Sequence, residues 1–328
     1  MIPAGSTKPL VSTIIPVHNR PDLVVEAIAS VLAQTHRPIE VIVVDDGSTD
    51  ATPRVLDELC ARHPGVVRVF RHGQPRGPGA ARETGRTAAS GAYVQYLDSD
   101  DLLVPTKFDR QLAALDDHPD WALVIGDVEI RRVDGRGPES GIRRAPALSS
   151  GFPALLVDRP WDTVAPLYRA AVLERVGPWL PLFNEEDWEY DGRIAALGWG
   201  MGKVEGVVGT MRRRPGDHLS GVGRRIRRSL AARAIARPLL LQHALEAGVV
   251  EESREFQQAV RFLFLLARQC GAAGLPGASQ RLFDHVAAWG LPRRRRDVVW
   301  YGRLASLVGW RAAGVLATTC DRMRAIGR

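Results

Sequence analysis

Alternation between two hydrophobic patterns in the first third of the chain is the feature that most limits its fold. Short continuous apolar runs predict buried strands, and apolar residues at helical spacing predict helices. Strands and helices that alternate through short loops form parallel sheets with right-handed crossovers. The sequence therefore predicts an α/β fold, with a mostly parallel Rossmann-like sheet flanked by helices. The expected strands are Val11–Val17, Ile39–Val44, Val66–Phe70, Tyr93–Leu97 and Ala122–Ile130, and helices are expected at Leu23–Gln34, Thr52–Arg62, Gly79–Ala89 and after Pro105.

Polar clusters follow three of these strands directly. His18-Asn19 follows the first strand, Asp45-Asp46 ends the second, and Asp98–Asp101 ends the fourth. In open parallel sheets, ligands bind beyond the carboxyl ends of the strands. Polar residues that served only to solvate the surface would not all fall at that edge, so the pattern predicts one binding site there.

The remaining sequence changes character twice. Asp134 to Ser150 is rich in Gly, Pro, Ser and Arg, which predicts a mobile loop, and Val204–Arg213 reads as a final strand. After about Gly221 the pattern becomes wholly helical, with helices expected at Ile226–Ala247, Glu252–Cys270, Gly277–Trp289 and Val298–Met323. We therefore expect a catalytic domain over residues 1–222 and a helical region over residues 223–328, for acceptor binding, oligomerisation or membrane docking.

Composition limits the compartment and the partners. The three cysteines are odd in number and widely separated, which argues against a disulfide framework and a paired-cysteine zinc site. No secretory signal or membrane-spanning stretch is evident, so we expect a cytoplasmic protein. The net charge of +7 suits an anionic partner. The basic clusters lack interleaved aromatic residues and a known module, so nucleic acid is not expected.

Two carboxylates near the end of the fourth strand carry the strongest chemical signal. Side chains alternate along an extended segment, so Asp98 and Asp100 fall on the same side. Mg²⁺ in proteins takes one or two carboxylates together with substrate phosphates. In isolation such a pair is more often a solvated turn or a helix cap, but its position after a fourth strand favours a metal and diphosphate site.

Two loops at the same edge offer further contacts. Asp45 in Asp45-Asp46-Gly47-Ser48 can accept the imide hydrogen of a uracil ring, although an Asx turn would explain the segment equally well. Arg76 precedes a glycine-bearing entry into a helix, where free backbone N–H groups and the helix dipole favour anions. This loop lacks the spacing of the known phosphate-binding fingerprints.

Charged residues also gather further along the chain. Glu185–Glu189 begins a helix, so its acids either complement the dipole or include a general base. Arg212–Arg214, followed by His218 and Ser220, reads either as a basic wall for phosphate or as a solvated strand edge. Both interpretations stay open on the residues alone.

Taken in order, these segments resemble the family-two glycosyltransferases with the GT-A fold, over roughly residues 10–220. Each segment is common alone, and the ordered set is specific. The segments that carry the resemblance are Val11–Asn19, Val43–Ser48, Gly77–Arg82, Tyr96–Asp101 and Glu186-Asp187-Trp188.

The resemblance implies inversion at the anomeric carbon by direct displacement, with Mn²⁺ or Mg²⁺ as cofactor. Asp100 would bind the metal, and Asp98 would hold the ribose or a metal-bound water. Asp187 would be the base that takes the proton of the acceptor hydroxyl. The remaining implied contacts to the donor, a UDP-sugar by preference, come from Pro16, Val17, His18, Asp45, Arg76 and His218.

Two departures from the family pattern and several alternatives accompany this interpretation. Glu83 stands where relatives often carry Asn. The Gln-x-x-Arg-Trp segment and membrane helices of polymerising members are absent from the sequence, which favours transfer of a single sugar in glycan or polysaccharide synthesis. A nucleotidyltransferase and a catalytically silent sugar-binding scaffold remain as alternatives.

The acceptor is expected to be a glycan or a lipid-linked molecule. The basic run Leu291–Arg296, followed by the apolar Val298–Tyr301, suggests peripheral docking on the inner face of the membrane. Packing of this segment on the catalytic domain, or on a second copy in a homodimer, explains it as well.

Overall fold

A computed structural model of the chain describes residues 8–132, 140–213, 224–291 and 295–326. Contacts divide the described residues into two compact units. The first takes those of Met1–Ser150, Pro160–Leu182 and Leu197–Asp217, and the second takes those of Gly151–Arg159, Phe183–Ala196 and His218–Arg328. The expected domains met between residues 222 and 223, whereas the contacts assign two earlier segments to the helical unit. The segment that contains Asp187 is one of them.

The first unit is built on a mixed sheet. Its four N-terminal strands run parallel, and antiparallel pairs join them to the strands that follow. The strand order along the sheet is β3-β2-β1-β4-β8-β6-β9-β5, with β7 paired to β6. The strands are Val11–Val17 (β1), Ile39–Asp45 (β2), Val67–Arg71 (β3), Tyr93–Tyr96 (β4), Leu102–Leu103 (β5), Trp121–Arg132 (β6), Ser140–Arg143 (β7), Leu167–Arg169 (β8) and Gly200–Arg213 (β9).

Helices connect the parallel strands, as the alternation predicted. Those between the four N-terminal strands are Pro21–Leu32 (α1), Thr52–Arg62 (α2) and Pro78–Ala88 (α3), and Lys107–Asp117 (α4) and Ala170–Val176 (α5) follow later strands of the same sheet. The central strands are buried on both faces; Ile14, Ile42 and Val43, for example, have no exposed surface. This is the reason their sequences read as continuous apolar runs.

The parallel register brings the polar strand ends together. Val17 lies opposite Asp45 across the β1–β2 pair, and Ile14 lies opposite Tyr96 across the β1–β4 pair. The segments that follow β1, β2 and β4 therefore leave the sheet side by side, as the sequence predicted.

Part of the sheet differs from expectation. Within the predicted mobile loop, residues 140–143 form β7, because Ile142 and Arg143 pair with the long strand β6. The short strands β5 and β8 were not predicted, and β9 begins at Gly200 rather than at Val204. Segments of two to four residues carry too little periodicity to identify, and their pairing depends on β6 and β9 being in place.

The second unit is helical. It contains a short 3₁₀ turn, Ala154–Leu156, and the helices Glu186–Ala196 (α6), Arg224–Glu246 (α7), Arg254–Ala272 (α8), Pro276–Trp289 (α9) and Arg295–Ile326 (α10). Non-helical angles at Gly309 divide α10 into two helical halves. No helix in the described ranges combines the length and the apolar content needed to cross a membrane.

A buried carboxylate ties the start of β2 to its neighbours. Glu40 Oε1 accepts hydrogen bonds from Ser12 Oγ at 2.6 Å and from Ser90 N and Oγ, both at 2.8 Å. Arg68 Nη1 lies 3.2 Å from Oε2. Burial alone would raise the pKa of Glu40, but these hydrogen bonds together outweigh it and lower that pKa from its ordinary value.

We predict that Glu40→Gln destabilises the protein by about 1–3 kcal/mol at neutral pH, because an amide leaves part of this network unpaired. A pKa lowered on folding adds stability that is present above the pKa of the unfolded chain and is lost as the pH falls through the folded value. Urea denaturation should therefore separate the two proteins at pH 7 and bring them together near pH 3. Glu58→Gln, at an exposed i,i+4 ion pair, is the matched control; an equal effect there would contradict the assignment.

Candidate active site

The ends of β1 and β2 are joined by hydrogen bonds from both backbone and side chains. The N–H of Asp46 donates to the carbonyl of Val17 at 2.8 Å, and His18 Nδ1 lies 2.9 Å from the Asp46 carbonyl oxygen. Asn19, which has a positive φ of 52°, accepts at its side-chain oxygen from the Thr49 N–H at 2.8 Å. The predicted contacts Pro16, Val17 and His18 thus lie beside Asp45 at one edge of the sheet.

Asp45 is almost fully buried at the end of β2, with 2% of its surface exposed. Its Oδ1 accepts the Ser48 N–H at 2.9 Å, which is the turn that the sequence allowed as an alternative. Its Oδ2 lies 4.0 Å from Arg71 Nε. Asp45 therefore shapes its own loop, and its second oxygen keeps acceptor capacity for a ligand group.

The glycine-bearing loop before α3 differs from the prediction. Its backbone N–H groups were expected to be free for an anion, but those of Arg76 and Gly77 donate to the two oxygens of Asp46 at 2.9 and 2.8 Å. His72 Nδ1 also lies 2.6 Å from Asp46 Oδ1. The buried Asp46 carboxylate is thus the anion at this helix N-terminus, because carboxylates satisfy its unpaired donors and its dipole.

We predict that Asp46→Asn loosens this loop, because the amide keeps one acceptor oxygen and turns a donor toward a second N–H. The expected loss of stability is about 1–3 kcal/mol. Hydrogen exchange of a peptide covering residues 72–80 should speed up at least tenfold. Asp57→Asn, at an exposed ion pair with Arg71, is the control; unchanged exchange in Asp46→Asn would contradict this role.

An arginine of α3 holds the first carboxylate after β4. Arg82 is buried, and its Nη2 donates to Asp98 Oδ1 at 2.7 Å. The Arg82 guanidinium lies 5.1 Å from the ring centroid of Trp179. Trp179 Nε1 in turn donates a hydrogen bond to the hydroxyl oxygen of Tyr96 at 3.0 Å. Glu83 accepts the backbone N–H of Trp179 at 3.0 Å. Glu83, which stands where relatives often carry Asn, therefore fixes the loop that carries Trp179.

Asp100 pairs with an arginine that follows β1. Arg20 Nη1 lies 2.5 Å from Asp100 Oδ2, and both side chains are partly buried. Burial raises the pKa of Asp100, and the nearby charge of Asp98 raises it further, while Arg20 opposes the rise. Burial is thus the main reason that the pKa of Asp100 is raised, and each of the two carboxylates has one arginine beside it.

Asp101 adds a third carboxyl group at the same point. It is 4% exposed, and its Oδ1 accepts the backbone N–H of Arg212 at 3.0 Å. Burial, followed by the charges of Asp98 and Asp100, raises the pKa of Asp101 well above its ordinary value. The Arg212 side chain bonds to Glu26 and to the Asp100 carbonyl. Arg212 therefore anchors this turn to β9 and is no solvated strand edge.

These residues fit a divalent cation that is shared with a substrate. Asp98 and Asp100 offer only oxygen donors, and their mutual repulsion favours a cation between them. Among the described residues no group of three His, Cys, Asp or Glu side chains is placed to hold a metal. Mg²⁺ and Mn²⁺ suit such a pair, because they keep open positions for phosphate oxygens and water.

The predicted base lies in the second unit, at the start of α6. Asp187 is 26% exposed at its side chain, its Oδ2 lies 2.8 Å from Arg159 Nη1, and its Oδ1 accepts the Trp188 N–H at 2.8 Å. The neighbouring Glu185 is buried with a positive φ of 60°, and Arg237 pairs with both of its oxygens. Glu185 therefore fixes the entry into α6, and Asp187 is the more accessible carboxylate.

Some predicted residues are not placed, and others were missed. His218, with Ser220 and Arg214, lies outside the described residues. The side chains of Arg20, Arg82 and Arg159 were given no role from the sequence. Arg20 directly follows the segment Val11–Asn19, and Arg82 ends the segment Gly77–Arg82; those positions were their signal. Arg159 had no local signal, because only the fold brings it to α6.

The parallel sheet and the carboxylates at its carboxyl edge form an α/β domain whose side chains suit a phosphorylated ligand together with a cation. Residues 12–157, less than half of the chain, match the model of glycosyl transferase family 2. This match confirms the resemblance seen in the sequence motifs, and it supports the predicted class of enzyme, a glycosyltransferase.

Known proteins support the family and the fold. Succinoglycan biosynthesis protein ExoO of Rhizobium meliloti is 34% identical over 151 residues, which are 45% of this chain and 42% of that protein. The matches span from 17% to 53% of the curated relatives' own length. TarS 1-349 of S. aureus, solved with UDP-GlcNAc, has a TM-score of 0.67 at 20% identity, covering 93% of this chain and 90% of that one.

A second solved structure agrees. The mannosyltransferase PcManGT of Pyrobaculum calidifontis, in complex with GDP-Man and Mn²⁺, has a TM-score of 0.53 at 19% identity, covering 97% of this chain and 88% of that one. The likeness to both structures confirms the predicted GT-A fold.

Proposed function

We propose that this protein transfers one sugar from a UDP-sugar to a hydroxyl of a glycan or lipid-linked acceptor, with inversion at the anomeric carbon. The observation that carries the proposal is the acidic cluster after β4, where Asp98 and Asp100 lie beside Arg82 and Arg20. This cluster lies within the segment that matches glycosyl transferase family 2. ExoO supports a role in polysaccharide synthesis by its name, and TarS supports a UDP-sugar donor by its bound ligand.

The chain's own residues supply binding and proton transfer. Asp45 accepts a donor hydrogen of the nucleobase beside Pro16, Val17 and His18. Asp187 takes the proton of the acceptor hydroxyl as its oxygen attacks the anomeric carbon on the face opposite the diphosphate. The bond from that carbon to the diphosphate oxygen breaks, and the nucleoside diphosphate leaves.

A divalent cation would be held by Asp100 and Asp98, with Mn²⁺ favoured by the complex of PcManGT. It would neutralise charge that develops on the leaving diphosphate. Arg20 and Arg82 already hold the two carboxylates at 2.5 and 2.7 Å, so the ligand set is oriented in advance. Arg76 and His218 complete the contacts that we propose for the donor.

A thermal-shift panel tests the donor. UDP-, GDP-, ADP- and dTDP-sugars are each added with and without Mn²⁺, and binding to the folded state raises the melting temperature. We expect one UDP-sugar to stabilise the protein in a metal-dependent manner. Stabilisation by a GDP-sugar instead would overturn the choice of nucleobase, and no shift with any donor would contradict the function itself.

We further propose that α10 docks on an anionic membrane at the cytoplasmic face, near a lipid-linked acceptor. The outward face of its first half mixes apolar and basic side chains: Trp300 is 53% exposed and Leu307 is 82% exposed, and the exposed Arg296 and Arg303 lie on the same face. In its second half the exposed face carries Val315, Leu316 and Met323. Basic residues within an exposed apolar face suit a surface of anionic lipid.

A second copy of this face is a weaker fit, because an isologous contact would bring its arginines together. Flotation with phosphatidylglycerol vesicles tests the choice on the full chain. We expect binding that falls at high salt and falls at least fivefold in Trp300→Ser/Leu307→Ser. Val250→Ser, at an exposed apolar residue outside α10, is the control. Unchanged flotation of the double variant, or dimers that dissociate in it, would overturn membrane docking.

A further inference from the structure

One guanidinium in the second unit bridges two carboxylates of α6. Arg159 Nη1 lies 2.8 Å from Asp187 Oδ2, and Arg159 Nε donates to Asp191 Oδ2 at 2.7 Å. Asp187 and Asp191 are four residues apart, so they lie on the same side of the helix. The side chain of Arg159 is 9% exposed and that of Asp191 is 1% exposed. The bridge is therefore largely shielded from solvent.

The contacts fix both oxygens of Asp187. Its Oδ1 is held by the Trp188 N–H and its Oδ2 by Arg159, which leaves the carboxylate one orientation at the start of the helix. A guanidinium holds two acceptors in a rigid plane and does not lose its proton near neutral pH. A lysine at this position would carry the positive charge but could not present two N–H donors in one rigid plane.

We propose that Arg159 is a positioning residue for the proposed base Asp187, and this inference rests on the proposed function. The guanidinium orients the carboxylate toward the acceptor hydroxyl and keeps it ionised by placing a permanent positive charge against Oδ2. The buried Asp191 holds the guanidinium in place, because it accepts a hydrogen bond from Arg159 Nε.

A purely structural role makes a different prediction. Arg159 would then serve only to neutralise the buried Asp191, and removing both residues together would restore the enzyme. The double variant Arg159→Ala/Asp191→Asn separates the two roles, since it removes the guanidinium together with the buried charge that the guanidinium contacts. Asp191→Asn alone is the reference for the loss of the second partner.

The experiment measures hydrolysis of the stabilising UDP-sugar by the full chain with Mn²⁺, from pH 5 to pH 9. Water takes the place of the acceptor hydroxyl, gives its proton to Asp187 and displaces the nucleoside diphosphate. We expect Arg159→Lys to lower kcat by 10- to 100-fold, with the donor KM within threefold of wild type. Arg159 contacts Asp187 directly at 2.8 Å, so removal of its charge disfavours the carboxylate form more than removal of the Asp191 charge favours it. The acidic limb of the kcat profile of Arg159→Ala/Asp191→Asn should therefore move to higher pH. Guanidinium ions at millimolar concentration should recover part of its activity.

Each outcome bears on the proposal. A double variant with wild-type kcat and an unshifted limb would overturn positioning, as would a rise in KM without a fall in kcat. Melting curves identify a single Arg159→Ala variant that fails to fold, and the double variant then decides the question. A wild type that no nucleotide sugar stabilises and that releases no nucleoside diphosphate overturns the proposed function, and an active Asp187→Asn overturns the base. These failures are told apart from failure of Arg159 alone.

Discussion

Asp100→Asn is expected to remove metal-dependent donor binding while leaving the fold intact. The amide has the size of the carboxyl group but carries no charge, so the cation loses the ligand that we assign to it. Removal of one preorganised electrostatic contact in an active site costs on the order of 100- to 1,000-fold in rate. We expect a loss of kcat/KM in that range or above it, and no thermal shift when donor and Mn²⁺ are added together.

The thermal stability of the ligand-free Asp100→Asn variant is also predictable. A carboxyl group whose pKa is raised on folding is destabilised in its ionised form, so above that pKa it subtracts from stability. Burial and Asp98 raise the pKa of Asp100 in this way. The ligand-free Asp100→Asn variant should therefore melt no lower than the wild type, although its activity is lost.

Two comparisons keep the test specific. Asp98→Asn should have a smaller effect, because Asp98 is assigned to the ribose or to a metal-bound water, whereas Asp100 is assigned to the metal itself. Asp117→Asn, at an exposed position at the end of α4, should behave as wild type. Retained Mn²⁺-dependent stabilisation by the donor in Asp100→Asn would refute the assignment of the metal ligand.

The convergence of the site on one sheet edge was predictable, because it follows from patterns that are local in sequence. Continuous apolar runs define β1 and β2, and the parallel register then places Val17 opposite Asp45. The glycosyltransferase motifs lie directly after such strands. Residue types at strand ends therefore identified the carboxylates without any knowledge of their partners.

The pairing of charges within the site was not predictable in the same way. Asp46 was read as part of a turn, yet it occupies the N–H groups of the loop before α3, 30 residues further along the chain. Arg20 reaches Asp100 only because β1 and β4 are neighbours in the sheet. Which donor pairs with which carboxylate depends on side-chain geometry between distant segments, so the hydrophobic periodicity of the sequence does not predict it.

The boundary of the helical unit shows the same limit on a larger scale. The sequence becomes wholly helical near Gly221, but residues 183–196 belong to the same compact unit as the C-terminal helices. Asn184 Nδ2, for instance, donates to Ser229 Oγ at 2.8 Å. A helix of eleven residues has the same local pattern in either unit, so only the packed structure assigns it.

Asp187→Asn is expected to reduce turnover by about 100- to 10,000-fold, the range that general base catalysis contributes. An amide keeps the hydrogen bond from the Trp188 N–H but cannot take a proton, so donor binding and the donor-induced thermal shift should stay within about twofold of wild type. Asp187→Asn should thus lose turnover and keep donor binding, whereas Asp100→Asn should lose both. The two variants together therefore separate the donor site from the proton acceptor.

The pH dependence of the residual activity identifies the role of Asp187. A wild type that needs an ionised base loses activity as the pH falls through the pKa of that base, and Asp187→Asn should lose this acidic limb. Asp187→Glu should recover part of the rate, because it restores a base displaced by one methylene group. Glu252→Gln, at an exposed carboxylate of the same unit, is the control. Full kcat in Asp187→Asn, with the acidic limb intact, would show that another group takes the proton.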